Sequence, residues 1–124
     1  MMKLVALTLL LASTGAVAHS HEPRFFGGKD EQLQSLSLSP KKVIPITVGN
    51  INGLTQQFLI TVNDKPVADL VLKPFTEIDI RVPVQISRPM KVEHFQICSI
   101  SVPASKEGFG FRMCTDAQVF WSKK

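Results

Sequence analysis

From Leu36 to the carboxyl end, Pro, Gly and Asn-Asp cut the chain into short runs rich in Val, Ile, Thr and Phe, and apolar residues do not recur at spacings of three and four. That pattern argues against amphipathic helices and predicts strands. Glu77 to Val84 is the clearest run: Ile78, Ile80, Val82 and Val84 share one face while Glu77, Asp79 and Arg81 share the other. Such alternation belongs to a strand with one dry side and one wet side.

Neighbouring runs extend the pattern. Phe58 to Val62 and Val67 to Leu72 flank Asn63-Asp64-Lys65-Pro66, residues suited to a tight reversal, which predicts a hairpin with Asp64-Lys65 at its tip. Val43 to Val48 is an earlier strand; its Pro45 lacks a ladder donor, which places it near an edge or a bulge. Another short strand is expected over Gln34 to Leu38.

The last third supports a register. Lys91 to Val102 and Phe109 to Trp121 are two long strand-like runs joined by Pro103 to Gly108. Pairing them antiparallel with Cys98 opposite Cys114 puts Val92 opposite Phe120, Phe95 opposite Ala117 and Ile100 opposite Arg112. Apolar positions change face near Ile97-Cys98, which predicts a bulge there. The chain holds only two cysteines. In an oxidising compartment the pair is expected to form a structural disulfide contributing ~3 kcal/mol in the chain-entropy model. A redox role lacks the Cys-x-x-Cys spacing that lowers a thiol pKa. In all, about seven strands are expected, an all-β chain forming a single immunoglobulin-like antiparallel β-sandwich, with Trp121 and the phenylalanines of the last hairpin as packing residues.

The run ITVGNINGLTQQFLITVNDKPVADLVLKPFTEIDIRVPV, Ile46 to Val84, carries a resemblance. A strand ending in a Gly/Asn turn precedes an ITVN-type hairpin, then Leu72-Lys73-Pro74 and an alternating strand. This resembles bacterial immunoglobulin-like modules of the CARDB and FixG types over about half the chain, from Ile44 to Val102. The resemblance implies an interaction or assembly module and brings no catalytic residues with it.

The amino-terminal end supplies an address. Lys3, the apolar Leu4 to Leu11 and Ala16-Val17-Ala18 read as the charged, apolar and small-residue parts of a bacterial signal peptide, residues 1–18, cut after Ala18. Leu4 to Ala18 is only fifteen residues, too short for a spanning helix, which needs ~20. The mature protein is therefore expected in the periplasm or outside the cell, with no membrane span after cleavage. Removing eighteen residues from 124 leaves 106, enough for one domain. Residues 19–34 are polar and turn-rich, which predicts a flexible lead-in before a domain over residues 35–124.

Two features of that lead-in are candidate sites. A cut after Ala18 would begin the mature chain at His19-Ser20-His21, whose amine, two amide nitrogens and third-position imidazole could form a square-planar set for copper(II) or nickel(II). This is similar to exported copper proteins of the CopC type, although their Asp-x-His motif does not occur here. His94, the remaining histidine, is a candidate third ligand, or else an ordinary strand residue. Phe25 and Phe26, followed by Gly27-Gly28, could dock on the domain or on a partner.

Charge and motifs narrow the classes. The formal charge of +4 falls to +3 without Lys3; four of the lysines sit as the pairs Lys41-Lys42 and Lys123-Lys124 and the rest stand singly. Without basic residues interleaved with aromatics, nucleic acid is not the expected partner. The sequence contains no nucleophile elbow, no His-Glu-x-x-His and no phosphate-cradling glycine loop. The expectation is a non-catalytic envelope protein that binds another cell-envelope or secreted protein through strand edges, loops or the Phe25-Phe26 segment, with no cofactor. The alternative is periplasmic copper binding through His19, His21 and His94.

Overall fold

A computed structural model of the protein describes residues 19–29, 31–103 and 110–123. The expected leader, residues 1–18, and most of the connection expected between the last two strands lie outside the described residues. Among the described residues are nine strands, β1 His19–Glu22, β2 Phe25–Phe26, β3 Leu36–Ser37, β4 Lys41–Asn50, β5 Gln56–Val62, β6 Lys65–Leu72, β7 Glu77–Gln85, β8 Val92–Val102 and β9 Arg112–Trp121, with one helical turn, α1, at Gln32–Ser35. One sheet has the order β1-β4-β7 and the other β2-β9-β8-β5-β6, with β3 also on β9. The fold is a β-sandwich of immunoglobulin-like order, in which the strand after β5 stays in the sheet of β5.

Alternation explains the core. Ile44, Ile46 and Val48 of β4 and Val82 and Val84 of β7 meet Phe58 and Ile60 of β5, Phe95 and Ile97 of β8, and Ala117 and Val119 of β9. In each strand these are every-other residues, so one face goes dry and the intervening side chains face out. The β8–β9 ladder runs unbroken from Val92↔Phe120 through Cys98↔Cys114 to Ile100↔Arg112, the register read from the sequence. The disulfide Cys98–Cys114 is formed.

Several expectations are corrected. No bulge interrupts β8 at Ile97-Cys98; the ladder's only neighbouring irregularity lies between β5 and β6, at Ile60/Thr61. The apolar positions change face for another reason. The inward positions after Ile97 are the buried Ser99 and Ser101, while Cys98 is buried beside the Arg112 guanidinium, whose Nε lies 3.3 Å from its Sγ. The hairpin tip is Asn63-Asp64, one residue earlier than expected, because both adopt positive φ (49° and 68°) and Lys65 already pairs with Val62. Asn and Asp tolerate that region as lysine does not. Pro45 lies inside the central strand of its sheet, but β1 covers β4 only from Thr47 to Asn50, so at Pro45 the only neighbour is β7.

The largest correction concerns residues 19–34. They are not a flexible lead-in. β1 pairs antiparallel with β4, then the chain crosses between the sheets so that β2 runs parallel to β9 at Asp116 and Ala117. β3 adds a second parallel contact at Phe120 and Trp121; it is the short strand expected over Gln34 to Leu38, cut to Leu36 and Ser37 by the helical turn before it. Between them, Gly27 (φ +72°) passes so close to the Gln118 carbonyl and the Ser35 hydroxyl that a Cβ there would collide with both. Glycine is required at that crossing.

Candidate functional site

The sequence-selected residues fall into two environments, and the buried one is fully specified by hydrogen bonding. His19 and His21 alternate along β1 and both point inward, 5% and 4% exposed. Ser99 Oγ lies 3.0 Å from His19 Nε2 and 2.7 Å from His21 Nδ1, and His21 Nε2 lies 2.8 Å from Thr115 Oγ1. The Thr115 hydroxyl reaches the carbonyl of Pro23.

A carbonyl can only accept, and with both rings in the neutral form that burial favours, this fixes every proton in the row. Thr115 donates to Pro23, so Thr115 accepts from His21 Nε2–H. The bare Nδ1 of His21 then accepts from the Ser99 hydroxyl, and Ser99 accepts from His19 Nε2–H. The row ends at His19 Nδ1, buried and without a partner. Both rings thus have defined tautomers, and His19 also stacks at a tilt on Phe58, ring centres 5.0 Å apart. Burial lowers the His19 pKa, opposed in part by a backbone contact with Ser99. Burial, with the neighbouring His19 charge second, pushes His21 down to about 4.

The chelate expected from the sequence belongs to a free amine at His19, and the structure places both rings inside the fold. A square-planar terminal site needs the third-position imidazole to fold back onto its own amides. Here Ser20 and His21 are strand residues opposite Gly49 and Val48, and the His21 ring is held in the core by Ser99 and Thr115. His94 is exposed on the outer face of β8, opposite Gln118, and cannot join them. Among the described residues no group of three His, Cys, Asp or Glu side chains is placed to hold a metal ion. Ser99 beside His21 resembles a nucleophile and base, but Ser99 is wholly buried and no substrate could reach it.

Phe25 and Phe26 separate. Phe26 is core, 4% exposed, while Phe25 is 71% exposed at a shallow hollow of about 330 Å³ with His94, Gln96 and Gln118. Beyond it, a groove of about 570 Å³ is lined by Leu33 of α1 with Leu36, Val92 and Phe120. Sequence reasoning missed the part played by Ser99 and Thr115, since neither carries a local signal; only the register of β1 against β4 brings them to the histidines.

Among the described residues the outer strands are β1 and β7 of one sheet and β6 and the short β2 and β3 of the other, and β7 and β6 are the long ones. β7 pairs only with β4, and its exposed positions are Glu77, Ile78, Asp79, Arg81, Pro83 and Gln85. β6 pairs only with β5; after Lys65-Pro66 it exposes Val67 (55%), Ala68, Asp69 and Val71 (67%). Charges and proline guard β7 along its length, whereas β6 carries Lys65 and Pro66 at its start and the single charge of Asp69 beyond them.

The fold defined by these sheets is shared with solved proteins. The E. coli chaperone DraB superposes with a TM-score of 0.62 at 11% identity, over 86% of this chain and 56% of that one. The chain thus spans little more than half the length of that chaperone, and at this identity the likeness is one of fold. No protein-family model and no curated protein matches the chain. Among the described residues no helix is long and apolar enough to cross a membrane.

Proposed function

We propose that this chain is a small exported, non-catalytic interaction module of the bacterial envelope that takes up an extended segment of another exported protein by strand addition. The observation that carries this reading is the lightly guarded edge of β6, where Asp69 is the one charge from Val67 to Leu72. Its outward backbone groups from Val67 to Val71 pair with no further strand among the described residues, and Val67 and Val71 supply exposed apolar side chains beside them. Main-chain bonds of that kind give affinity, and side chains beside the added strand give selectivity. The Cys98–Cys114 bond supports an oxidising compartment, the periplasm or the exterior, and the apolar leader supports export. The fold shared with a chaperone supports a protein as the partner.

The test is site-specific photo-crosslinking in the exporting cell, with the photoreactive residue at Val71 or, for comparison, at Arg81 on β7. The reading predicts a discrete adduct with an envelope protein from Val71 and little from Arg81. A Val67→Lys variant, which extends the guard along β6, should remove that adduct without changing the melting temperature. Equal adducts from both edges, or none from Val71, would overturn it.

A further inference from the structure

Along the outer face of β6 the exposed side chains follow one another as Val67, Asp69 and Val71, with Lys73 just past the strand. Val67 is 55% exposed and Val71 67%. The inner face carries Leu70, partly buried, and Leu72, packed in the core. Among the described residues neither Asp69 nor Lys73 is ion-paired, the one salt bridge being Arg112 with Asp64. An acid and a cation without partners thus flank an exposed valine.

The end of this stretch is held in place by a clamp. Asn50, 1% exposed, ends β4. Its Nδ2 donates to the carbonyls of Leu54 (2.8 Å), Leu72 (3.0 Å) and Lys73 (3.2 Å), and its Oδ1 accepts from the Asn52 amide (2.9 Å). Thr76 Oγ1 also donates to Lys73 O, at 2.8 Å. The backbone that carries Lys73 is therefore fixed at the end of β6.

A strand laid antiparallel on this edge must keep its outer side chains on the outer face, because a slip of one residue turns them over. When the added strand is a second β6, the registers differ in which residue meets its own copy across the two-fold axis. With the axis at Asp69 two acids face each other; at Ala68 or Leu70 the acid faces a valine. Within β6 only an axis at Val67 or at Val71 brings Asp69 opposite a cation, Lys65 or Lys73. The Val67 axis falls on the register shift of the β5–β6 ladder, where Ile60 pairs with Ala68 and Thr61 with Pro66, and it lays the donorless Pro66 in the new ladder. The Val71 axis avoids both.

We propose that two copies of this chain pair through β6, antiparallel, with Val71 opposite Val71 on the two-fold axis. The inference rests on the reading of β6 as an edge open to an added strand. Asp69 of each copy meets Lys73 of the other, and Leu70 lies beside the second copy's Leu72, which carries the apolar inner face across the junction. Phe75, 75% exposed just beyond the strand, comes beside the second copy's Val67. β7 is not equivalent, since its Asp79 already accepts from Thr47 Oγ1 at 2.7 Å and Pro83 brings no donor. The paired stretch is short, so the dimer is weak and reversible, and the edge can exchange the second copy for another extended segment.

The test is sedimentation velocity of the processed, exported chain from about 10 μM to about 1 mM, together with air oxidation of single-cysteine variants. Residues directly opposite in an antiparallel pair have Cα atoms ~4.5–5.5 Å apart, within reach of a disulfide. Val71→Cys should therefore yield a disulfide-linked dimer, and Val67→Cys and Asp69→Cys should not. Asp69→Lys or Lys73→Asp alone turns both ion pairs into like-charge pairs and should raise the dissociation constant about tenfold, whereas the two together exchange the charges and should restore it. These positions are exposed, and thermal unfolding checks that each variant keeps the fold. A chain that stays monomeric throughout, cross-linking at Val67→Cys or Asp69→Cys in place of Val71→Cys, or no recovery in the double variant would overturn the inference. An adduct of photoreactive Val71 with another envelope protein, without self-association, would overturn it and leave strand addition standing. Self-association without such an adduct would support it and overturn strand addition by another protein.

Discussion

The β8–β9 hairpin and the segment from His19 to Ser37 lie side by side in the same structure, yet their sequences advertise them very differently. The hairpin carries alternating apolar residues and two cysteines, and its register follows from them. The amino-terminal segment is largely polar, because apart from Phe26 what it buries is His19, His21, Ser35 and Ser37, held by hydrogen bonds with only His19 Nδ1 left unpaired among them. Hydropathy reads the first kind of burial and is blind to the second. A satisfied polar residue is as structural as an apolar one, but its partner lies far along the chain: Ser99 is 78 residues from His21.

The comparison can be broken most forcefully at the adjacent aromatics. Phe26→Ala should cost about 3–5 kcal/mol, as large-to-small changes in a packed core do, whereas Phe25→Ala should fall within about 0.5 kcal/mol. Urea unfolding of the two variants measures both; similar losses would mean that the crossover is not docked as described. On the hairpin side, replacing Cys98 and Cys114 together by Ala should cost ~3 kcal/mol through the freed denatured chain, read from the shift in urea midpoint at constant slope.

The polar side of the comparison is sharpened by Thr115→Val. The change keeps the shape and removes the hydroxyl, leaving the His21 Nε2–H and the Pro23 carbonyl buried without their partner. A loss of about 1–3 kcal/mol is expected. Acid should act on the same row. The His21 pKa is depressed in the fold from an ordinary 6.5 to about 4, and His19 shifts in the same direction. Between those values the unfolded chain binds more protons than the folded one, so this contribution is complete above about pH 6.5 and is lost as pH falls toward 4. Unfolding free energy measured across that window should decline on acidification, and a His21→Gln variant, less stable at neutral pH, should show a shallower decline.

How much was legible follows the same division. Alternation gave β7 and the presence of β4, and aligning the two cysteines gave the pairing of β8 with β9. The Asn63-Asp64 reversal was visible but misplaced by one residue, because the deciding factor is which residues accept positive φ, and Asn-Asp outranks Asp-Lys there. The expected bulge at Ile97-Cys98 was inferred from apolar spacing; the pleat continues instead with serines inward. The triplet His19-Ser20-His21 looked like a chelating terminus because local spacing contains no information about Ser99 and Thr115. The clamp at Asn50 was equally silent, since its acceptors are backbone carbonyls that any sequence supplies.

The central claim is that His19 to Phe26 is an integral part of the sandwich, fastened by the histidine–hydroxyl row. Amide hydrogen exchange of the exported chain at neutral pH tests it most directly. The account predicts that the ladder amides of His19 to Glu22 exchange far more slowly than those of an unstructured peptide, and that Thr115→Val accelerates them more than it accelerates the β5–β6 hairpin. Exchange of residues 19–26 at the rate of a free chain, while β8 and β9 remain protected, would contradict it.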